Sequence, residues 1–325
     1  MCLYVKLKSS AVARVMVLAV LCLATADFSA GLAQAPQRVA IVNSSTRAEY
    51  QQASRFIGAE LRLANPGLSV EELVFESANG RDVEFWQRLS RSKPDLVVTV
   101  GSESTQSART HAVDLPVIFT MVLDKYGKVQ GDSDHRDYNG VTLAIPVDQQ
   151  FEYIKKVLPD ARRVGFIYGS KLEEVFNEAS AAAQKRGIRL VAEKIASERD
   201  IPESLRRILP GIDAYWLPLD PMIFEEIVFQ WVLRECYKNS VPIFSVYQHV
   251  VQAGIPVALG VDYEDISRQT VEIVLRRLKG GRFLAPVVEH PRKLILYVNE
   301  GVASGLNLRI PENIVRQSVT IRSGN

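Results

Sequence analysis

The chain has almost no cysteine. Two of its three cysteines, Cys2 and Cys22, fall within the first 35 residues, which leaves Cys236 alone in the remainder. A lone thiol excludes an internal disulfide framework. Cys236 lies in the apolar helical pattern FQWVLRECY, which favours a buried structural thiol over a reactive one.

Residues that carry out catalysis or bind metals are also sparse. The four histidines are scattered along the chain, and no two have the spacing of metal ligands. The sequence has no Gly-x-Ser-x-Gly elbow, no His-Glu-x-x-His motif, no Walker loop and no Gly-x-Gly-x-x-Gly fingerprint. We therefore expect no catalytic residues, no metal and no cofactor, and we predict that the protein is not an enzyme.

No excess of one charge is present either. Three of the 39 basic and one of the 37 acidic residues fall within residues 1–35, which leaves 36 of each sign in the rest of the chain. There is no basic stripe with interleaved aromatic residues, so we predict no nucleic-acid partner. The 290 residues after position 35 exceed a typical single domain and favour two domains.

The first 35 residues have the pattern of a secretory signal peptide. Three basic residues precede the short apolar run Val15–Ala24, and Ala33 and Ala35 form a small-x-small cleavage site. The pattern predicts a signal peptide over residues 1–35 and a periplasmic protein. Lipoprotein anchoring at Cys22 is the alternative, and the bulky Leu21 before the cysteine disfavours it.

The rest of the chain alternates apolar strand-like runs with amphipathic helical stretches. Arg38–Asn43, Leu96–Val100 and Val117–Met121 are continuous apolar runs, as expected for strands of a parallel sheet covered on both faces. Asp124–Asn139 is polar and has no apolar period, so it is predicted to be a long surface loop. The alternation restarts near residue 143, which predicts two doubly wound α/β domains of similar size.

Ligands of open parallel sheets bind beyond the carboxyl ends of the strands, so we examined the residues after each strand. In the first half these are Asn43 and Ser44 after one strand and the Gly-Ser-x-Ser-Thr loop Gly101–Thr105 after another. Hydroxyls and backbone N–H groups at a helix start can hold a carboxylate. The alternative is that Ser102 or Ser104 only caps the helix.

In the second half, the strand ends provide Tyr168, Asp220, Ser245 and Tyr247. Asp220 can accept a charge-assisted hydrogen bond from an ammonium group. Its alternative role is that of an N-cap or turn residue before Pro221. The aromatic residues can wall an apolar ligand or can belong to the core.

An ordered series of segments carries a resemblance to a known family. The Gly101–Thr105 loop is followed by PVIFTMVLD (Pro116–Asp124), YWLPLDPMI (Tyr215–Ile223), VPIFSVYQHVVQAGIPVALGVDYEDISRQT (Val241–Thr270) and the tail LILYVNEGVASGLNLRIPENIV (Leu294–Val315). In this order they resemble the periplasmic substrate-binding proteins of ABC importers, in the branch that includes tryptophan and other amino-acid binders.

The resemblance implies the type I periplasmic binding protein fold, in which two doubly wound parallel-sheet (Rossmann-like) lobes are joined by a three-segment hinge. It implies an N-terminal lobe of residues 36–143 plus about 262–285 and a C-terminal lobe of residues 144–261 plus about 286–325. The first crossing is expected near Met121–Asp124 or Gly140–Ile145, the second near Gly260–Asp262 and the third near Ala285–Pro291.

The resemblance also implies a small-molecule ligand in the cleft, a membrane permease as partner and a monomeric protein. Together with the strand-end residues, it gives a predicted ligand-binding set of Asn43, Ser44, Ser102, Ser104, Thr105, Thr120, Tyr168, Asp220, Ser245, Tyr247 and Asp262. Val246–His249 depart from the small and acidic residues usual in the family, so the sequence leaves the ligand's identity open. Two other functions stay open: an exported sensor that signals to a membrane receptor, and a secreted α/β enzyme.

Overall fold

A computed structural model of the protein describes residues 36–75, 81–112, 114–123, 139–220, 222–280 and 287–321. The predicted signal segment and most of the predicted polar loop lie outside these residues. Within Arg38–Asn325 the described residues form two α/β sheets of mostly parallel strands with interspersed helices, which confirms the predicted fold class.

The first sheet has six strands, all paired in parallel, in the order β11-β5-β4-β3-β1-β2. They are β1 (Arg38–Asn43), β2 (Ser69–Val74), β3 (Leu96–Val100), β4 (Val117–Val122), β5 (Asn139–Thr142) and β11 (Val288–Glu289). Helices α1 (Ala48–Ala64), α2 (Asp82–Arg91) and α3 (Ser102–His111) connect the early strands. The central strands are buried on both faces because these helices cover the sheet.

Among the described residues, the second sheet has seven strands in the order β13-β12-β10-β9-β8-β6-β7, of which only β10 and β12 pair antiparallel. They are β6 (Arg163–Tyr168), β7 (Arg189–Lys194), β8 (Ala214–Leu217), β9 (Ile243–Ser245), β10 (Val257–Val261), β12 (Leu294–Asn299) and β13 (Val319–Ile321). The associated helices are α4 (Val147–Val157), α5 (Glu173–Lys185), α6 (Ile201–Ile208), α7 (Glu226–Lys238), α9 (Glu300–Gly305) and α10 (Glu312–Val315).

The chain passes between the two sheets three times. It leaves the first sheet after Thr142, returns after Val261 through helix α8 (Tyr263–Leu278), and leaves again after Glu289. The Gly140–Ile145 option for the first crossing therefore agrees with the structure. The Met121–Asp124 option is wrong, because β4 and β5 are neighbours in the same sheet.

Helix α8 and strand β11 join the first sheet although they follow most of the second sheet in sequence. Helix α8 packs against α1, β4 and β5, and the Thr270 hydroxyl donates to the Thr120 hydroxyl at 2.7 Å. Strand β11 pairs with β5, and the Val287 N–H donates to the Asn139 side chain at 2.7 Å. Val288 and Glu289, which the predicted C-terminal lobe from about residue 286 includes, thus pair with the first sheet.

Candidate functional site

The carboxyl ends of β1 and β3 lie side by side, as the parallel register requires. Asn43 is opposite Val100, and the Ser44 N–H donates to the Val100 carbonyl at 2.9 Å. Helix α3 begins directly after β3. Asn43 and Ser44 therefore lie beside the Gly101–Thr105 loop at one edge of the first sheet, so the first two polar segments of the predicted ligand-binding set are close together.

The hydroxyls of the predicted anion loop are occupied by the chain itself. The N–H of Ser104 donates to the Ser44 hydroxyl at 2.9 Å, and the two serine hydroxyls lie 2.9 Å apart. Thr105 donates to the Gly101 carbonyl at 2.7 Å, and its hydroxyl lies 2.8 Å from that of Thr99. Ser104 and Thr105 are buried, and their hydroxyls have partners within the chain.

The capping alternative, in which Ser102 or Ser104 caps helix α3, differs from the structure. Neither Ser102 nor Ser104 is the N-cap residue: the N-cap is Gly101, and Ser102 is exposed. The capping oxygen comes instead from Ser44, 60 residues earlier in the chain. This arrangement satisfies a backbone donor of the first turn that has no partner within the helix.

Gly101 allows a close approach of the backbone at this edge. Its φ is +93°, and a Cβ atom there would lie 2.7 Å from the Ser44 hydroxyl and 3.0 Å from Cζ of Tyr50. Only glycine adopts this conformation without strain. The Tyr50 ring therefore lies over the loop that precedes helix α3, a position that the sequence analysis did not predict.

Thr120 and Ser245 are buried at the ends of their strands. Thr120 accepts from Thr270, as described above, and belongs to the contact between β4 and α8. Ser245 donates to the Leu217 carbonyl at 3.3 Å and accepts the N–H of Tyr247 at 3.3 Å. Both hydroxyls therefore have partners within the chain.

Tyr168 is part of an aromatic stack in the core. Its ring is stacked on Phe166 at 5.1 Å and on Phe176 at 4.9 Å between ring centroids. Burial raises the pKa of its hydroxyl, and Glu173 adds to the shift. Of the two roles given above for the aromatic residues at strand ends, lining a ligand or belonging to the core, the Tyr168 ring has the second.

Tyr247 lies in a more open aromatic group. Its ring is 6.0 Å from Phe224 and 5.0 Å from His249 between centroids. Burial raises the pKa of the neighbouring Tyr263 to about 12, and the charges of Tyr247 and Glu49 add to this shift. Tyr247 is half-buried, close to the start of helix α8 at the second crossing.

Asp262 is a structural residue of the second crossing. Its Oδ1 caps helix α8 by accepting the N–H groups of Glu264 and Asp265 at 3.0 and 3.1 Å, and its Oδ2 pairs with the Lys293 ammonium at 2.6 Å. Burial would raise the pKa of this carboxyl, but Lys293 and the two N–H groups lower it. Both oxygens of Asp262 thus have partners within the chain.

Asp220 is the predicted residue with an unusual environment. It is 3% exposed, at the end of the segment that follows β8. Its Oδ1 accepts the Met222 N–H at 2.9 Å, and its Oδ2 is buried without a hydrogen-bond partner among the described residues. Burial raises the pKa of the carboxyl, against the opposing effects of the Met222 and Gly169 N–H groups and of Lys171.

Among the described residues, three amide oxygens are in the same condition, those of Asn43, Gln149 and Gln248. Asn43 Oδ1, at the end of β1, and Gln248 Oε1, after β9, are buried without partners among the described residues. Buried polar atoms of native proteins nearly always have a partner. These atoms are all acceptors, so the group that completes them must supply hydrogen-bond donors.

A cavity of about 340 Å³ lies beside the hinge. Leu123, Thr142 and Val288 line it from the ends of first-sheet strands, and Trp216, Leu219 and Val246 line it from the ends of second-sheet strands. We call it the hinge-side cavity. None of the eleven predicted residues lines it, although Leu219 and Val246 are direct neighbours of three of them. The feature of the sequence that could have indicated this cavity is the apolar residue next to each polar strand-end residue, such as Leu219 before Asp220.

Chemistry other than binding has little support in the described part of the chain. The described residues contain no group of three or more His, Cys, Asp or Glu side chains placed to hold a metal ion. Cys236 is fully buried, and burial raises the pKa of its thiol well above the ordinary value. Among the helices that the structure describes, none is both long and apolar enough to cross a membrane.

Comparison with known families agrees with this geometry. The family model described as ABC transporter substrate binding protein matches residues 60–321. The chain belongs to this family. The family is one of substrate-binding proteins and not of enzymes, and the resemblance stated from the sequence is confirmed.

Relatives within and around this family are distant in sequence. A tyrosine-binding protein of Clostridioides difficile is 24% identical over 196 residues, which are 58% of this chain and 56% of that protein. The chain thus matches little more than half the length of this curated relative.

Two solved structures show the shared fold. An ABC domain from Streptococcus pneumonia in complex with L-Trp is 21% identical, with a TM-score of 0.60 over 88% of this chain and 99% of that one. A ligand-free, open substrate binding protein with adhesive properties from Clostridium difficile is 17% identical, with a TM-score of 0.72 over 89% of this chain and 100% of that one. The substrate-binding protein described here thus has the type I periplasmic binding fold.

Proposed function

We propose that this protein is the extracytoplasmic solute-binding component of an ABC importer and that it binds a small ammonium-bearing solute, of the amino-acid class, between its two lobes. The N-terminal segment 1–35 directs export to the periplasm, and a membrane permease accepts the solute. The lobes comprise residues 36–143 with 262–289 and residues 144–261 with 290–321.

The observation that carries this proposal is the unpaired oxygen of Asp220. A buried carboxylate oxygen without a hydrogen-bond partner among the described residues costs free energy that the fold must compensate elsewhere. An ammonium group placed against Oδ2 would make a charge-assisted hydrogen bond and remove that cost. Asn43 and Gln248 have buried amide oxygens that can accept further N–H groups.

Two further facts support the ligand class. One relative is named for tyrosine binding, and one structural neighbour holds L-Trp. Both compounds carry an ammonium group and an apolar ring. Binding between hinged lobes selects the closed state, because only there does the ligand contact both lobes.

The test is the Asp220→Asn variant, compared with Asp213→Asn. Asp213 accepts the N–H groups of Arg162 and Arg163 at 2.8 Å each and directly precedes β8, so it lies at the opposite end of that strand from Asp220. We expect Asp220→Asn to lose at least about 100-fold in affinity for the amino acid that wild type binds best, measured by calorimetry, since breaking a buried charged pair is costly. We expect Asp213→Asn to bind normally.

The same variant has a second readout. Because a buried unpaired charge is removed, the Tm of the empty Asp220→Asn protein should rise, whereas that of Asp213→Asn should fall with the loss of a favourable carboxylate. An Asp220→Asn protein that binds amino acids as tightly as wild type contradicts the proposal.

A further inference from the structure

We propose that the hinge-side cavity is the subsite for an apolar or aromatic part of the solute, and that Val246 limits its size. This inference rests on the proposed function, since it assigns the second half of the ligand that Asp220 would hold. It concerns residues that the sequence analysis did not select.

The buried polar side chains of the cavity need no ligand. Gln150 donates to the Ile145 carbonyl at 2.6 Å and accepts the indole N–H of Trp216 at 2.9 Å. Thr142 donates to the Val122 carbonyl at 3.0 Å and accepts the Ala144 N–H at 2.9 Å. The polar atoms are satisfied within the chain, so the inner wall offers apolar surface to an occupant.

Charged groups stand only at the rim. Lys171, Glu174, Glu178 and His290 line the cavity and are exposed to solvent. Their heads can remain hydrated while an apolar group enters beneath them. The cavity therefore favours a ligand part without charge and tolerates a polar atom only at its mouth.

The cavity adjoins the Asp220 site. Leu219 lines the cavity and directly precedes Asp220, and Lys171 lines it while its charge acts on the Asp220 carboxyl. The proposal therefore places the ammonium group of the solute at Asp220 and its side chain in the adjoining cavity. A volume of about 340 Å³ is within the usual range of small-molecule sites.

The cavity is also placed to couple occupancy to lobe closure. Its walls include Thr142 and Ile145 at the first crossing and His290 at the third, and the His290 ring lies 3.0 Å from the Ala144 carbonyl. The opposite wall, with Trp216 and Val246, belongs to the second sheet. An apolar group between these walls loses water from both sides only when they close on it.

The first test is a side-chain series of amino acids. Glycine, L-alanine, L-leucine, L-phenylalanine and L-tryptophan are titrated into the full-length exported protein. We expect affinity to rise about fourfold for each methylene equivalent that becomes buried. Val246→Trp should reduce affinity for L-phenylalanine at least tenfold, and Val246→Ala should reduce it about threefold. Val319→Trp, on an exposed strand outside the cavity, is the matched control and should bind as wild type does.

The second test needs no amino-acid binding. Indole is added to protein with ¹³C-labelled valine methyl groups, and the Val246 and Val288 signals are followed by NMR. We expect both signals to shift in wild type and in Val319→Trp but the Val288 signal to remain in place in Val246→Trp. If Val246→Trp does not fold, the response of the Val288 signal to indole is measured in Val246→Ala instead.

Each outcome decides one proposal. Unchanged L-phenylalanine affinity in Val246→Trp, or Val246 and Val288 signals that do not respond to indole, overturns the assignment of the cavity. If no amino acid binds to wild type while indole shifts both signals, the cavity assignment stands and the amino-acid class of the proposed function fails. If amino acids bind with no preference for apolar side chains, the proposed function stands and this inference fails.

Discussion

The Ser44 hydroxyl accepts the backbone N–H of Ser104 at 2.9 Å and lies 2.9 Å from the Ser104 hydroxyl. The contact joins the end of one strand to the first turn of the helix that follows its neighbour. It gives partners within the chain to hydroxyls that the sequence offers either as an anion site or as a helix cap.

Replacing Ser104 and Thr105 together with alanine should destabilise the fold. Their hydroxyls are buried and bonded to Ser44, Thr99 and backbone carbonyls, so removal leaves buried groups unsatisfied. We expect the free energy of unfolding to fall by about 2–4 kcal/mol, measured by urea denaturation. The Ser102→Ala control, at an exposed position, should change it by less than about 0.5 kcal/mol. A double variant of normal stability with weakened binding would instead make these hydroxyls ligand contacts.

Gly101→Ala should be more harmful than alanine at other glycines. The substituted residue would be strained at a φ of +93°, and its Cβ would meet Ser44 and Tyr50. We expect a loss of more than about 2 kcal/mol in the free energy of unfolding. Gly187→Ala has a positive φ of +66° but open space, and should cost about 1 kcal/mol from the backbone alone. Equal losses in the two variants would show that the close approach of Tyr50 has no energetic weight.

Binding and stability should respond to pH in opposite directions through Asp220. Its folded-state pKa is raised, so its contribution to stability is greatest below the unfolded pKa and is lost as the pH rises through the folded pKa. An ammonium ligand needs the ionised form, so affinity should fall as the pH decreases through the same range. Urea denaturation and calorimetry between pH 4 and 8 measure the two trends, and Asp220→Asn should lose both. A wild-type affinity that is constant over this range argues against an Asp220–ammonium pair.

Asp262→Ala should weaken the hinge without affecting ligand recognition directly. The variant loses the cap of helix α8, which is worth about 1 kcal/mol in the free energy of unfolding. Lys293→Met tests the ion pair alone and should have a smaller effect, because Lys293 is largely exposed. Thermal denaturation gives the stability of each variant. Complete loss of binding in Asp262→Ala with an unchanged Tm would return this residue to the ligand-binding set.

Sequence patterns were most informative where one local segment determines the outcome. Buried strands such as Leu96–Val100 are continuous apolar runs, and their position in a parallel sheet follows from the alternation with helices. The prediction that Asp220 lies at a strand end holds for the same reason. The sequence did not predict strand β11, because a strand of two residues is too short to show an alternation of apolar and polar residues. Its pairing with β5 also depends on a return of the chain 148 residues later.

The candidate site was harder to predict because its groups come from distant segments. The cap of helix α3 is supplied from 60 residues away, which no local motif shows. The walls of the hinge-side cavity come from strand ends and crossings of both sheets, so no single segment has its pattern. The sequence identified Asp220 by its chemistry, whereas the missing hydrogen-bond partner of its Oδ2 became visible only in the folded chain.

The late return of α8 and β11 to the first sheet has a consequence for biosynthesis. A nascent chain that ends before Tyr263 has an unfinished edge at β5 and an uncovered face beside Thr120, however well the earlier strands pair. The N-terminal half therefore cannot mature ahead of the C-terminal half as the ribosome delivers it. Completion of the first sheet therefore waits until most of the second sheet has been synthesised.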